Sequence, residues 1–256
     1  MSQAILEVHD LTRTFGGLTA VNKLSFSVSP GSVHGLIGPN GAGKTTTFNV
    51  ISGFYPPTTG QVIYQGKNVS GMTTVSLARI GLIRTFQGTT LFKEFTVLDN
   101  VKIGFHGSVR STLIAQVLGA DREELAAIEK QADELIEFFG LADLRNELAA
   151  NLSHGHQRAL GIAVALAAQP KVLLLDEPFT GMNPEETSRM MTLVRSVRDR
   201  GVTIMLVEHD MHAIMGLCDK ITVMNFGSLL TEGTPQQVRT NPKVIEAYLG
   251  SAIDAA

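Results

Sequence analysis

Residues 38–45 read GPNGAGKT and satisfy G-x-x-x-x-G-K-[ST] at every fixed position. An apolar run, Val33–Ile37 (VHGLI), precedes them, and Lys44–Ile51, which contains neither Gly nor Pro, follows. A buried strand, a glycine-rich turn and a helix in direct succession are the setting in which this motif cradles phosphate, and they commit the chain to an α/β architecture. Each residue type has a physical reason. Gly38, Gly41 and Gly43 permit backbone angles and a close approach that a Cβ obstructs, so successive N–H groups face phosphate oxygens. Lys44 adds a mobile positive charge for the β- and γ-phosphates, and the Thr45 hydroxyl is placed to ligate Mg²⁺. The new helix aims its positive end at the same anion. Pro39, Asn40, Ala42 and Thr46 complete the expected binding segment.

Phosphate binding alone does not imply hydrolysis, which needs a carboxylate beside the phosphate. Residues 172–178 read VLLLDEP. Four apolar residues make a fully buried strand, and its carboxyl end delivers Asp176 and Glu177 to the edge of a parallel sheet, where α/β ligand sites lie. Asp176 suits a magnesium partner, directly or through water. Glu177 suits the base that orients or deprotonates an attacking water.

Short alternating or apolar runs at 5–8, 24–28, 33–37 and 61–64 read as strands. Residues 97–150 turn Ala-, Leu- and Glu-rich, with Leu125, Ile128, Ala132, Leu135, Ile136 and Phe139 at helical spacing, and read as a helical insertion. From 157 the alternation resumes, with helices at about 157–168 and 184–200 and strands at 172–175 and 203–207. A last strand pair is expected at 221–225 and 228–233, then a peripheral helical tail from Pro235. This order implies a largely parallel sheet with helices on both faces.

Composition narrows the partners. Net charge is −3 with no basic run, so nucleic acid is not an expected partner. The longest apolar stretch, 159–168, is far short of the ~20 residues that span a bilayer. The N-terminus has no signal-peptide pattern, which makes a cytosolic chain the expectation. Cys218 is the single cysteine, leaving no disulfide framework and no cysteine-based metal site.

LSHGHQR at 152–158 precedes the Asp-Glu pair and resembles the LSGGQ signature of ABC-type ATPases. The order of features is also similar to that family: Phe15, the phosphate loop, Gln87 in RTFQ, the signature, Asp176 and Glu177, TGMN at 180–183, and His209 after a strand. A lone aromatic is more often core and a lone Gln a surface amide; the shared order is what favours functional roles here. The resemblance covers almost the whole chain. It implies an α/β P-loop NTPase of ABC type, with a mixed sheet core, an N-terminal antiparallel β part and a helical subdomain. Within a single domain over 1–256, residues 1–87 and 158–234 would form the catalytic core, 88–157 the helical subdomain, and 235–256 a C-terminal helical tail. ATP and Mg²⁺ would be bound. Phe15 would stack on adenine, Gln87 would reach the magnesium and the attacking water, and His209 would donate to the γ-phosphate. Ser153 and Gly155 would face the nucleotide held by a second subunit, so two such domains would sandwich ATP head to tail.

Further stretches resemble the ATP-binding subunits of branched-chain amino-acid-type importers: TFGGLTAVN at 14–22, RTFQGTTLFKEFTVLDNV at 84–101, TGMNPEET at 180–187, VEHDM at 207–211 and GTPQQVRTNPKVIEAYLG at 233–250. This implies a peripheral chain on the cytoplasmic face of the inner membrane. Its partners would be membrane permease subunits and a second ABC ATPase, the same or a related chain, with a periplasmic solute-binding protein indirectly. Leu91, Phe92 and Phe95 would either meet the permease or form small-lobe core. His154 and His156 depart from LSGGQ; if position 154 needs positive φ, His bears strain there that Gly avoids. The alternative function is a soluble ABC ATPase or a nucleotide-dependent regulatory module not coupled to transport.

Overall fold

The computed structural model describes residues 3–85, 91–105 and 121–253. Its elements are β1 (Leu6–Phe15), β2 (Leu18–Val28), β3 (Val33–Ile37), α1 (Lys44–Ile51), β4 (Thr59–Tyr64), β5 (Lys67–Asn68), α2 (Thr74–Arg79), β6 (Leu82–Arg84), α3 (Val97–Gly104) and α4 (Asp121–Phe138). After these come α5 (His154–Ala167), β7 (Val172–Asp176), α6 (Pro184–Asp199), β8 (Thr203–Val207), α7 (Met211–Leu217), β9 (Lys220–Asn225), β10 (Ser228–Gly233), α8 (Pro235–Arg239) and α9 (Pro242–Ile253). Among the described residues no helix is long and apolar enough to cross a membrane.

One compact unit holds residues 1–84, 171–180 and 187–256. Its larger sheet has the order β10-β9-β3-β8-β7-β6, parallel except for β10 on β9. Every residue of β3, β7 and β8 is buried, which is why their sequences are unbroken apolar runs instead of alternating ones. The smaller sheet, β2-β1-β4-β5, is antiparallel. β1 and β2 extend well beyond the expected short runs because bulges interrupt their alternation, one at 8–11, with Asp10 and Lys23 at positive φ. The tail lies at the edge strand β10 and is anchored there. Val238 and Val244 are buried, and Asn241 donates to the Thr231 hydroxyl on β10 at 3.2 Å. A capping box at Thr234 and Gln237 starts α8.

The second unit holds residues 85–170 and 181–186. The boundary falls at 170 and not at 157, because α5 packs against α3 and α4. α5 also begins three residues earlier than expected, at His154, where the Ser153 hydroxyl accepts the His156 amide as an N-cap. The expected apolar stripe of α4 is buried from Ile128 to Phe139, whereas Leu125 is exposed.

His34 on β3 is buried against Phe26. Its Nε2 lies 2.8 Å from the Thr222 hydroxyl, which in turn donates to Glu232 at 3.3 Å. That chain makes Nε2 the protonated nitrogen of a neutral ring. Burial, helped by the Lys220 charge, pushes the His34 pKa down from 6.5 to about 3. The unfolded chain therefore binds the extra proton between those values, and stability falls as pH falls through that window. Urea unfolding at pH 7.5 and pH 5.5 should show wild type losing roughly 1 kcal/mol more than His34→Leu across that interval. Equal losses would contradict the neutral, buried assignment.

Candidate active site

The phosphate loop leaves β3 and enters α1 in the first unit. Gly38, Gly41 and Gly43 have φ of 154°, 77° and 95°. A Cβ at Gly38 would stand 2.2 Å from the Met224 carbonyl oxygen and one at Gly43 2.4 Å from that of Ala20, so both positions exclude side chains by space as well as by angle. α1 has no side-chain cap and no acid in its first turn. Its first N–H groups therefore stay available to an anion, and the helix charge favours one. Lys44 Nζ donates to the carbonyls of Gly38 at 2.7 Å and Pro39 at 3.0 Å, folding back over the loop. Burial lowers the Lys44 pKa, while the Glu177 carboxylate raises it.

A cavity of about 510 Å³ opens here, lined by residues 18–20, 40–46, 177 and 226–227. It falls within the size range of small-molecule sites. Pro39, Asn40, Ala42, Thr45 and Thr46 stand where the sequence put them, in or beside the loop. Glu177 enters the cavity from the end of β7 at φ 47°, its amide donating to the Val207 carbonyl at 2.9 Å. The Thr180 hydroxyl donates to Glu177 Oε2 at 3.3 Å. His209 Nδ1 stands 4.0 Å from Glu177 Oε1, with the imidazole largely exposed. The Glu177 carboxylate and the His209 imidazole are thus neighbours, with Glu177 lining the cavity and His209 beside it.

Asp176 faces elsewhere. Its Oδ2 accepts from Arg84 Nη2 at 2.6 Å, with both side chains almost fully buried. Arg84 Nη1 also donates to Asn49 Oδ1 at 2.6 Å and Ser52 Oγ at 3.0 Å on and after α1. Phe15 is partly exposed, with the Arg13 guanidinium 4.5 Å over its ring and Tyr55 edge-on at 5.3 Å; the cavity is lined near that hairpin by Leu18, Thr19 and Ala20 and not by Phe15. Gln87 lies outside the described residues.

Two residues that support the site are given no role by the sequence motifs. Arg84 is one. Glu208 is the other: its side chain is fully buried, Oε1 accepts the Phe179 amide at 2.8 Å, and Oε2 accepts those of His209 at 3.0 Å and Asp210 at 3.4 Å. Burial raises its pKa against the pull of those three donors. One carboxylate thereby fixes the loop after Glu177 to the loop that carries His209. Its position directly before His209 was the available signal.

In the second unit Ser153 and Gly155 sit at the start of α5. A Cβ at Gly155 would meet nothing nearer than Glu186 Oε1 at 3.6 Å. His154 is helical and is not among the residues with positive φ, so the substitution there carries no backbone strain. Asn183 caps α6 by accepting the amides of Glu185 and Glu186, each at 3.0 Å.

Residues 21–180 match the family model described as ABC transporter. The chain belongs to the ABC transporter family. Residues 228–254 of this ABC chain additionally match the model of the branched-chain amino acid ATP-binding cassette transporter. The high-affinity branched-chain amino acid transport ATP-binding protein LivG of Escherichia coli K12 is 43% identical, covering 98% of this chain and 100% of that protein. BraF of Pseudomonas aeruginosa, of the same description, is also 43% identical with the same coverage. Among solved structures, the ADP conformation of MJ1267, an ATP-binding cassette of an ABC transporter, superposes with a TM-score of 0.86 at 31% identity, covering 97% of this chain and 100% of that one. The ABC-type α/β fold with its helical unit is therefore the fold of this chain.

Proposed function

We propose that this chain is the ATP-hydrolysing subunit of a membrane importer for branched-chain amino acids or related small polar solutes. One observation carries the hydrolytic reading: Glu177 lines the same cavity as Lys44 and Thr45. The likeness of residues 228–254 to the branched-chain group supports the cargo class.

In this reading the triphosphate lies on the N–H groups of residues 41–46, with Lys44 turning from its own loop carbonyls to the β- and γ-oxygens. Thr45 and Gln87 would hold Mg²⁺, which would supply charge neutralisation at the phosphates, and Asp176 would join them only by leaving the Arg84 guanidinium that holds it. Glu177 orients a water and accepts its proton as the water oxygen bonds to the γ-phosphorus. The bridging P–O bond breaks, giving ADP and phosphate. His209 donates a hydrogen bond to the γ-phosphate as charge develops. Ser153 and Gly155 complete the corresponding site of a second ATPase subunit, so ATP closes the pair and hydrolysis releases it.

The permease contact falls on Phe92 and Phe95. Their rings stack 5.4 Å apart and are 53% and 45% exposed, so they are surface, not core. Asn100 holds their loop, accepting the Phe92 amide and donating to the carbonyls of Phe92, Phe95 and Thr96. Exposed aromatic pairs of this kind suit a protein partner. A photo-crosslinking residue at 92 or 95, in the tagged chain trapped in native membranes with ATP and vanadate, should join it to integral membrane permeases, with a second ATPase co-purifying. Capture of ribosomal or DNA-bound proteins, or no crosslink at either site, would favour a soluble ATPase or regulatory module.

A further inference from the structure

A two-residue turn joins β9 to β10, with Asn225 paired to Ser228 and Phe226 and Gly227 at its tip. Both tip residues have positive φ, 46° and 80°, the geometry of a type I′ turn, in which Asn, Asp and Gly are the favoured first residues. Gly227 meets the requirement. Phe226 breaks it, since a bulky side chain is strained at positive φ. Its ring is also 88% exposed, so burial offers no compensation. Nor is the turn free to relax: Asn22 N donates to Gly227 O at 2.8 Å, Gly227 N donates to Ala42 O at 3.1 Å, and the Ser228 hydroxyl donates to Asn22 O at 3.4 Å. The strained tip is fastened to β2 on one side and to the phosphate loop on the other.

Folding gives no reason for Phe at this position, whereas the cavity does. Phe226 lines it together with the phosphate loop, and so does Leu18, which is 67% exposed. These are the two exposed large apolar side chains among its lining residues. Apolar surface does nothing for a phosphate but suits the flat face of a nucleobase. Resting on the ATPase reading above, we infer that Phe226 contacts the nucleoside of the bound nucleotide, with Leu18 as the companion apolar surface. It thereby contributes to preference for nucleotides over bare polyphosphates.

The test compares wild type, Phe226→Asn and Phe226→Tyr in the full chain, titrated calorimetrically with ADP and with inorganic tripolyphosphate in the presence of Mg²⁺. Asn is favoured in the turn, so Phe226→Asn should unfold at the wild-type temperature or above it. Its ADP affinity should fall by about tenfold, while Phe226→Tyr stays close to wild type and tripolyphosphate binding is unchanged in all three. Unchanged ADP affinity in Phe226→Asn overturns the inference and leaves the ATPase reading standing. Equal losses for ADP and tripolyphosphate also overturn it, because the effect then runs through the loop that Gly227 holds. A wild type that binds neither overturns the ATPase reading and this inference together.

Discussion

Glu177→Gln should lower steady-state ATP turnover by about 10²–10⁴-fold, the range for loss of a positioned general base, while ATP binding is retained. The amide keeps the shape of the carboxylate and can still accept the Thr180 hydroxyl, so the loop after β7 keeps its path. What it loses is the ability to take a proton from water. Glu177 is the acid placed both in the cavity and 4.0 Å from His209, whereas Asp176 is held by Arg84 and Glu208 by three backbone amides. With cleavage blocked and binding intact, ATP should hold the variant as a stable dimer, visible by size-exclusion chromatography, when ADP does not. Phosphate release at the wild-type rate would remove Glu177 from the role of base and return attention to the other two carboxylates.

What the sequence made legible follows from where information is local. β3, β7, β8 and α1 could be bounded almost to the residue, since buried parallel strands are unbroken apolar runs and a glycine loop marks a helix start. The phosphate loop, Glu177 and His209 were legible for the same reason, each sitting at the end of such a strand. β1 and β2 outrun the alternating stretches of their sequence because residues at positive φ reverse the face pattern within them. α5 starts three residues before its sequence suggests, since His-Gly-His looks like loop until Ser153 is seen to cap it. Glu208 and Arg84 illustrate the harder limit. Glu208 binds the amide of Phe179, 29 residues away, and Arg84 the carboxylate of Asp176, 92 residues away. No spacing rule connects such pairs. Phe226 differs: its signal is local, a large apolar residue in a turn that favours Asn or Gly, but it gains meaning only when the turn is seen beside the phosphate loop.

Arg84→Met should destabilise the chain by about 3–5 kcal/mol, the cost of breaking a buried ion pair by removing one partner. In a chain of this size that corresponds to a fall in melting temperature of roughly 10 °C. Met approximates the length of the side chain and can keep contact with Phe48, over which the guanidinium sits at 5.7 Å, so lost packing is not the main effect. The uncompensated charge is. Asp176 is 5% exposed and its Oδ2 loses a donor at 2.6 Å, while Asn49 and Ser52 lose theirs as well. Adding Asp176→Asn should therefore recover much of the loss, because it removes the orphaned charge; two independent sites would instead add their losses. Thermal unfolding of the two single variants and the double variant measures the coupling. Arg84→Met within about 1 kcal/mol of wild type would show that the pair is solvated in solution and that Arg84 does not anchor α1 to the end of β7. With the coupling present, Arg84 is the residue through which β6, α1 and β7 are held as one support beneath the phosphate loop.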